Sequence, residues 1–422
     1  MFHTAAIIIS VAAVLTWINC KYVRLPTTIG VMLIALLASL ALVAFGEAET
    51  GFRGRVTQLI VGIDFHEAVF HGVLPFLLFA GALHVKFNDL KREWLPVTLL
   101  ALLGTASSIF AVAGGLYLVL FWLGLPVPWI GCLLFGALIS PTDPVAVLGI
   151  MKSANAPRNI ETHIAGESLF NDGVGVVAFV ALVAVAAGDT PPSPIGAAIL
   201  LLREAGGGIF LGAAVGWVAL QFLKRVERYQ VEILLTLAAA MGSYAIAEVF
   251  HASAPIAVVV TGLFIGNQGR AGSMTPQTAR RADEFWELID EFLNIVLFML
   301  MGLEVLVLQL HSASLWAGAA AIVVSLLVRW AIVAGIAGGL RALRRPLCRG
   351  SVSVLTWGGL RGGVSLALAL ALPVDEHRDI LLAAAYVVVV FSIVVQGLTV
   401  GLLIPRACGD STRFVKPVRP EQ

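Results

Sequence analysis

Long apolar runs separated by short polar clusters make up nearly the whole chain. Runs of roughly 17–25 residues match one bilayer crossing as an α-helix. The pattern predicts thirteen, at about 4–20, 27–45, 69–84, 95–121, 129–151, 163–187, 204–223, 231–250, 255–268, 285–309, 314–340, 350–373 and 380–404. The first run lacks a basic leader, and Lys21 and Arg24 follow it where a cleavage site needs small residues. It therefore reads as a retained span and not as a signal peptide. With the N-terminus outside, the connections on the cytoplasmic side carry most of the basic residues, among them Lys86, Lys91, Arg92, Lys224, Arg225, Arg228, Arg341, Arg344, Arg345 and Arg349. The other side keeps Arg53, Arg55 and Arg378. This is the positive-inside asymmetry, and it makes 406–422 a short cytoplasmic tail.

Composition agrees. Of 422 residues, 59% are hydrophobic and 13% charged, against about 45–50% and about 25% in soluble domains. The expected fold is an all-α polytopic membrane protein whose partner is membrane lipid. A net charge of +1 without a dense Lys/Arg cluster excludes nucleic acid. Four cysteines without C-x-x-C spacing suggest neither a disulfide framework nor a zinc site, and no cofactor is expected.

Two predicted spans are interrupted in their middles. The fifth contains Ser140-Pro141-Thr142-Asp143-Pro144, and the twelfth contains Gly358-Gly359-Leu360-Arg361-Gly362-Gly363. Proline removes a backbone donor and clashes with the preceding turn, so the fifth span should unwind at Asp143. Unwound backbone at membrane depth persists only where it is buried in protein or lines a cavity. Six spans, a connecting span and six more would form an inverted repeat within one transmembrane domain, 1–405. Repeat one would cover about 4–187, the linker about 204–223 and repeat two about 231–404. The breaks then fall at matching positions, where transporters bind their ions. Asp143 and Arg361 supply opposite charges for the half-helix dipoles.

The sixth span carries Glu167, Ser168, Asn171 and Asp172 within two turns. A charged side chain at the bilayer centre costs about 2.5–3.5 kcal/mol on insertion scales, so such acids need partners. The intramembrane bases are Arg329 and Arg361. One of them neutralising Glu167 leaves Asp172 unpaired. An unpaired carboxylate in low dielectric favours its protonated form and is also an oxygen ligand for a small cation. A proton and a cation competing for one site is the physical basis of antiport. A channel would need a filter, and no repeated filter string appears. An enzyme is disfavoured as well: there is no H-E-x-x-H string, and Gly166-Glu167-Ser168 is not a G-x-S-x-G elbow.

The strings Phe79 to Leu83, Ser140 to Val147, Gly166 to Gly173, Val296 to Glu304 and Gly358 to Gly363 resemble those of monovalent cation:proton antiporters of the NhaP/NHE type. The resemblance implies exchange of Na+ or Li+ for H+, with K+ as the alternative cation, in a bacterial inner membrane. It implies Asp172 as the carboxylate that binds cation and proton. Asp143, Ser168 and the Thr142 backbone carbonyl would complete the Na+ coordination. Asn171 marks an electroneutral member, Glu167 forms a buried bridge with Arg329, and Arg361 compensates charge at the crossing. It further implies a homodimer with a dimerisation domain and a six-helix core that moves like an elevator. Ala80 departs from the pattern, because relatives often carry an acid there. His84, Glu248, Glu304, His251 and His311 read as interfacial, with a proton-sensing role as the alternative for His84; Glu232, Asp290 and Glu291 read as a solvated face near cytoplasmic ends, with attraction of cations to a funnel as the alternative.

Overall fold

The computed structural model describes residues 2–45, 54, 62, 65–154, 156–187, 194–269, 274–308 and 311–408. Arg53, Arg55 and the tail beyond Cys408 lie outside the described residues. Among the described residues the fold is all-helical, and its one β-type pairing is an isolated antiparallel bridge between Asp143 and Leu360. Nine helices of the described residues are long and apolar enough to cross a membrane, and Trp129–Ile139 and Ala254–Gly269 are shorter apolar helices. Large apolar side chains such as Phe110, Phe121, Trp217 and Trp330 face outward. A soluble surface does not carry such a belt, whereas one bathed in lipid tails does.

The elements fall into two packing groups. In one, Pro276–Leu303 packs on Thr27–Phe45, and Ala254–Phe264 packs on Leu74–His84, Pro194–Leu223 and Tyr229–Val249. In the other, Ser312–Ala342 packs on Arg378–Phe391 and Thr105–Trp122, with Trp129–Ile139 against Thr105–Trp122 and Arg158–Ala186. Without a hydrophobic drive between helices in lipid, close backbone approach supplies the contact. Gly212 illustrates this: a Cβ there would overlap the Ala257 carbonyl, and Thr261 Oγ1 donates to Gly212 O across the same seam at 3.0 Å.

Both interrupted spans are pairs of half-helices, Trp129–Ile139 with Val145–Ser153 and Ser351–Trp357 with Gly363–Leu370. The sequence-based range 285–309 needs correction. The helix begins at Pro276, where Thr275 accepts from the Thr278 N–H as an N-cap and proline occupies the first turn. Its first turns are charged on one face, so hydropathy conceals them. Two further expectations fail. Glu232 and Glu304 are buried, at 1% and 5% exposure, and are not solvated or interfacial side chains. Both lie near the ends of apolar runs, where hydropathy cannot tell lipid headgroups from a protein wall.

Candidate functional site

The site is built where the two interrupted helices cross. The Asp143 N–H donates to Leu360 O at 2.8 Å, joining the two unwound segments through their main chains. A Cβ on Gly362 would overlap the Asp143 carboxylate, so only glycine lets the second unwound segment pass this close. Asp143 Oδ1 accepts from the Val145 N–H at 2.9 Å, placing a carboxylate at the start of the half-helix Val145–Ser153.

Three of the four half-helix C-termini meet a base. Arg361 Nη1 donates to Ser140 O (2.6 Å) and Pro141 O (2.9 Å), at the end of Trp129–Ile139. The Arg361 N–H in turn donates to Ser392 Oγ at 2.9 Å. Ser392 opens a π-helical turn, Ser392–Gln396, a local widening that recurs at functional positions. Arg329 donates to Leu355 O through Nε (3.3 Å) and Nη2 (3.1 Å), at the end of Ser351–Trp357. Arg378, expected as an outer loop charge, donates to Leu370 O (2.9 Å) and Leu372 O (3.1 Å) beyond the second half-helix. These cations neutralise the carbonyls that broken helices leave unpaired.

The helix Arg158–Ala186 faces this crossing and divides its acids by environment. Glu167 is paired by both terminal guanidinium nitrogens of Arg329, with Nη2 to Oε2 at 2.9 Å and Nη1 to Oε1 as the second contact. Asn171 clasps the first break: its Nδ2 donates to Thr142 Oγ1 (2.8 Å), and its Oδ1 accepts from the Thr142 N–H (3.3 Å). Thr142 Oγ1 also lies 3.0 Å from Ser168 Oγ. Asp172, one residue beyond Asn171, is 7% exposed.

A cavity of about 1020 Å³ reaches this position, lined by Asp143, Ser168 and Asp172, with Ala80 and His84 on its wall. Thr142 lies behind this lining, with its hydroxyl held by Ser168 and Asn171. Two carboxylates in one cavity repel each other in low dielectric, and a single cation or proton between them relieves that repulsion. His84 is anchored through Nδ1 to Ala80 O at 2.7 Å and is exposed on the cavity wall.

Some contributors had no individual role assigned from the sequence. Ser140, Pro141 and Leu355 act through main-chain carbonyls, and Ser392 through a hydroxyl on a featureless apolar run. His163, which carries no sequence signal of its own, is buried at 2% exposure, with Nε2 2.9 Å from Glu93.

The transmembrane family model of the sodium/hydrogen exchanger matches residues 8–405. The chain is 45% identical over 412 residues to the Na(+)/H(+) antiporter NhaP of Pseudomonas aeruginosa, covering 96% of this chain and 97% of that protein. It is 33% identical over 395 residues to the Na(+)/H(+) antiporter ApNhaP of Aphanothece halophytica, covering 89% and 74% respectively. The solved structure of the sodium proton antiporter MjNhaP1 from Methanocaldococcus jannaschii at pH 8 superposes with a TM-score of 0.73 at 17% identity, over 96% of this chain and 97% of that one. That last likeness speaks for the fold alone. The family consists of transporters and not of enzymes. A helical membrane protein whose interrupted helices cross at buried carboxylates, matched along nearly its whole length, belongs to the sodium/hydrogen exchanger family.

Proposed function

We propose that the chain is a secondary active antiporter exchanging Na+, or Li+, for H+ across a bacterial inner membrane. The observation that carries this reading is the unequal treatment of adjacent acids. Glu167 is neutralised by Arg329, whereas Asp172 lies buried on a cavity shared with Asp143. Asp172 binds cation and proton alternately. Asp143, Ser168 and the Thr142 main-chain carbonyl complete the cation's ligands, and oxygen donors of this kind suit a hard monovalent ion. Arg361 and Arg329 hold the charge of the surroundings constant during the exchange.

The finer architecture belongs to the same reading. The chain crosses the membrane thirteen times in two inverted repeats, with the N-terminus outside and the C-terminus in the cytoplasm. The two packing groups support a six-helix core that moves as an elevator against a dimerisation domain in a homodimer. The cavity lining includes the exposed Lys86 and Arg158, both on the cytoplasmic side in this topology. The state described here is then inward-open.

In liposomes, an imposed Na+ gradient should drive proton movement recorded by an entrapped pH dye. Competition fixes the sign of the pH dependence. Acidification raises the apparent KM for Na+, towards about tenfold per pH unit for one proton displacing one cation, while the maximal rate holds. A KM independent of pH would argue against a shared site. K+ replacing Na+ as the driving ion is the outcome that favours the K+/H+ alternative, and flux without proton coupling would indicate a channel.

Electroneutral exchange follows from Asn171. The side chain beside Asp172 is an uncharged amide, spent on holding Thr142, so one charge is exchanged for one. Clamping the membrane potential at zero or at a large value should give the same exchange rate. A steep voltage dependence would contradict this stoichiometry.

A further inference from the structure

We propose that His84 is the proton relay of this cavity, taking the proton that Na+ displaces from Asp172 and passing it to buffer at the mouth. The inference deepens the exchange reading and rests on Asp172 as the exchanging carboxylate.

The hydrogen bond of the ring fixes its tautomer. His84 closes the helix Leu74–His84, and its Nδ1 lies 2.7 Å from the main-chain oxygen of Ala80, one turn back. A carbonyl oxygen only accepts, so Nδ1 carries hydrogen and Nε2 holds the lone pair of the neutral ring. His84 is exposed on the cavity wall, which makes it a base within reach of the cavity water. Protonation at Nε2 leaves the Nδ1–H bond to Ala80 intact. The ring therefore takes up and returns a proton without turning.

Asp172 is poorly placed to meet buffer itself, being 7% exposed. The cavity of about 1020 Å³ that it shares with His84 has room for a chain of water between them. At pH 8 free protons are at about 10 nM, and capture at a diffusion limit of about 10⁹–10¹⁰ M⁻¹s⁻¹ brings one site roughly 10–100 per second. A base open to the mouth exchanges with plentiful buffer molecules instead. In the balanced step, the Asp172 carboxyl loses its proton as Na+ arrives and His84 becomes imidazolium. Buffer base then takes the proton and restores the neutral ring.

The other ionisable groups around this wall suit the task less well. Lys86 and Asp89 follow His84, and Arg158 and Glu161 come from Arg158–Ala186. Pro276–Leu303 adds Glu287, Asp290 and Glu291, of which Asp290 is half-buried. The packed helix Ala254–Phe264 carries no ionisable side chain, and Tyr229–Val249 brings none to the lining. His71, on the turn before Leu74, is held by Glu67 and Glu248 and lies outside the lining. Carboxylic acids ordinarily titrate near about pH 4, lysine near about 10 and imidazole near about 6.5. A relay has to bind and release its proton close to the working pH, which favours the imidazole.

Initial rates of 22Na+ exchange in proteoliposomes at pH 8 and low buffer test the relay; 22Na+ is read because concentrated buffer masks a pH dye. His84→Ala should slow maximal exchange by about tenfold, less than the about 10²–10⁴-fold of general acid–base catalysis, since water still carries protons. Added imidazole should restore most of the variant's rate and change the parent's little, and choline chloride at the same concentration should restore nothing. The KM for Na+ should stay that of the parent, because His84 is not a ligand of the ion. His84→Gln, polar but unable to titrate, should be as slow as His84→Ala. Three outcomes overturn the relay: a parent-like rate in His84→Ala at low buffer, a slow variant that imidazole does not restore, or full activity in His84→Gln. A parent protein without proton-coupled 22Na+ exchange would instead overturn the antiport reading, and the relay with it. Unfolding temperatures of the variants, expected to match the parent's, exclude misfolding as the cause.

Discussion

Asp172→Asn should reduce Na+-driven proton movement to the level of empty liposomes. The amide keeps the size of the carboxyl and can hydrogen-bond where the acid did, but it neither releases a proton at working pH nor balances a cation's charge. Both half-reactions fail together, unlike the loss of a neutral ligand, which would weaken one ion more than the other. Folding should be unaffected, because a buried charge without an ion-pair partner contributes no stability that an uncharged isostere loses. The measurement is exchange in proteoliposomes alongside thermal unfolding in detergent. Persistent exchange in a well-folded Asp172→Asn protein would remove Asp172 from the centre of the mechanism. Asp143 would be the next carboxylate to examine, since it shares the cavity.

Arg329→Ala should have the largest effect on stability. The guanidinium holds both Glu167 oxygens and the Leu355 carbonyl, on two helices besides its own. Its removal strands a buried carboxylate at 1% exposure, and breaking such a pair typically costs about 3–5 kcal/mol. Neutralising both partners is expected to recover most of that loss, because no charge then remains uncompensated. The comparison is unfolding of Arg329→Ala, Glu167→Gln and a Glu167→Gln/Arg329→Met double variant. If the single variants are as stable as the parent, the pair contributes nothing to the fold. If the double variant is no better than Arg329→Ala, the guanidinium's bond to Leu355 matters more than its salt bridge.

Different parts of this architecture were written in the sequence with different clarity. The interruptions at Pro141–Pro144 and Gly358–Gly362 were legible because proline and glycine act locally, through backbone chemistry that needs no knowledge of neighbours. The acids of the helix Arg158–Ala186 stood out because charge in an apolar run is anomalous wherever it packs. The choice of Arg329 over Arg361 as partner of Glu167 was not legible from the residues. Both bases were equally available, and only the resemblance to known antiporters separated them. Arg361 instead serves main-chain carbonyls, which have no side-chain signature. Glu232 and Glu304 were misjudged for a related reason. Each sits near the end of an apolar run, and only tertiary packing decides whether such a residue meets headgroups, water or protein. The first turns of the helix that begins at Pro276 escaped the hydropathy pattern because Arg280, Arg281, Asp283 and Glu284 leave no apolar run there.

The main-chain bond between Asp143 and Leu360 has a consequence for how this protein tolerates change. The contact involves no side chain at position 360, so any apolar residue of similar bulk there preserves the path of the second break. A one-residue insertion or deletion in either break is a different matter. It would shift the Asp143 amide away from its acceptor and carry the Arg361 guanidinium off the Ser140 and Pro141 carbonyls in the same stroke. The crossing thus fixes the length of the two interruptions more strictly than their composition. Insertions and deletions should therefore be tolerated in the polar connections between helices and not in the two breaks.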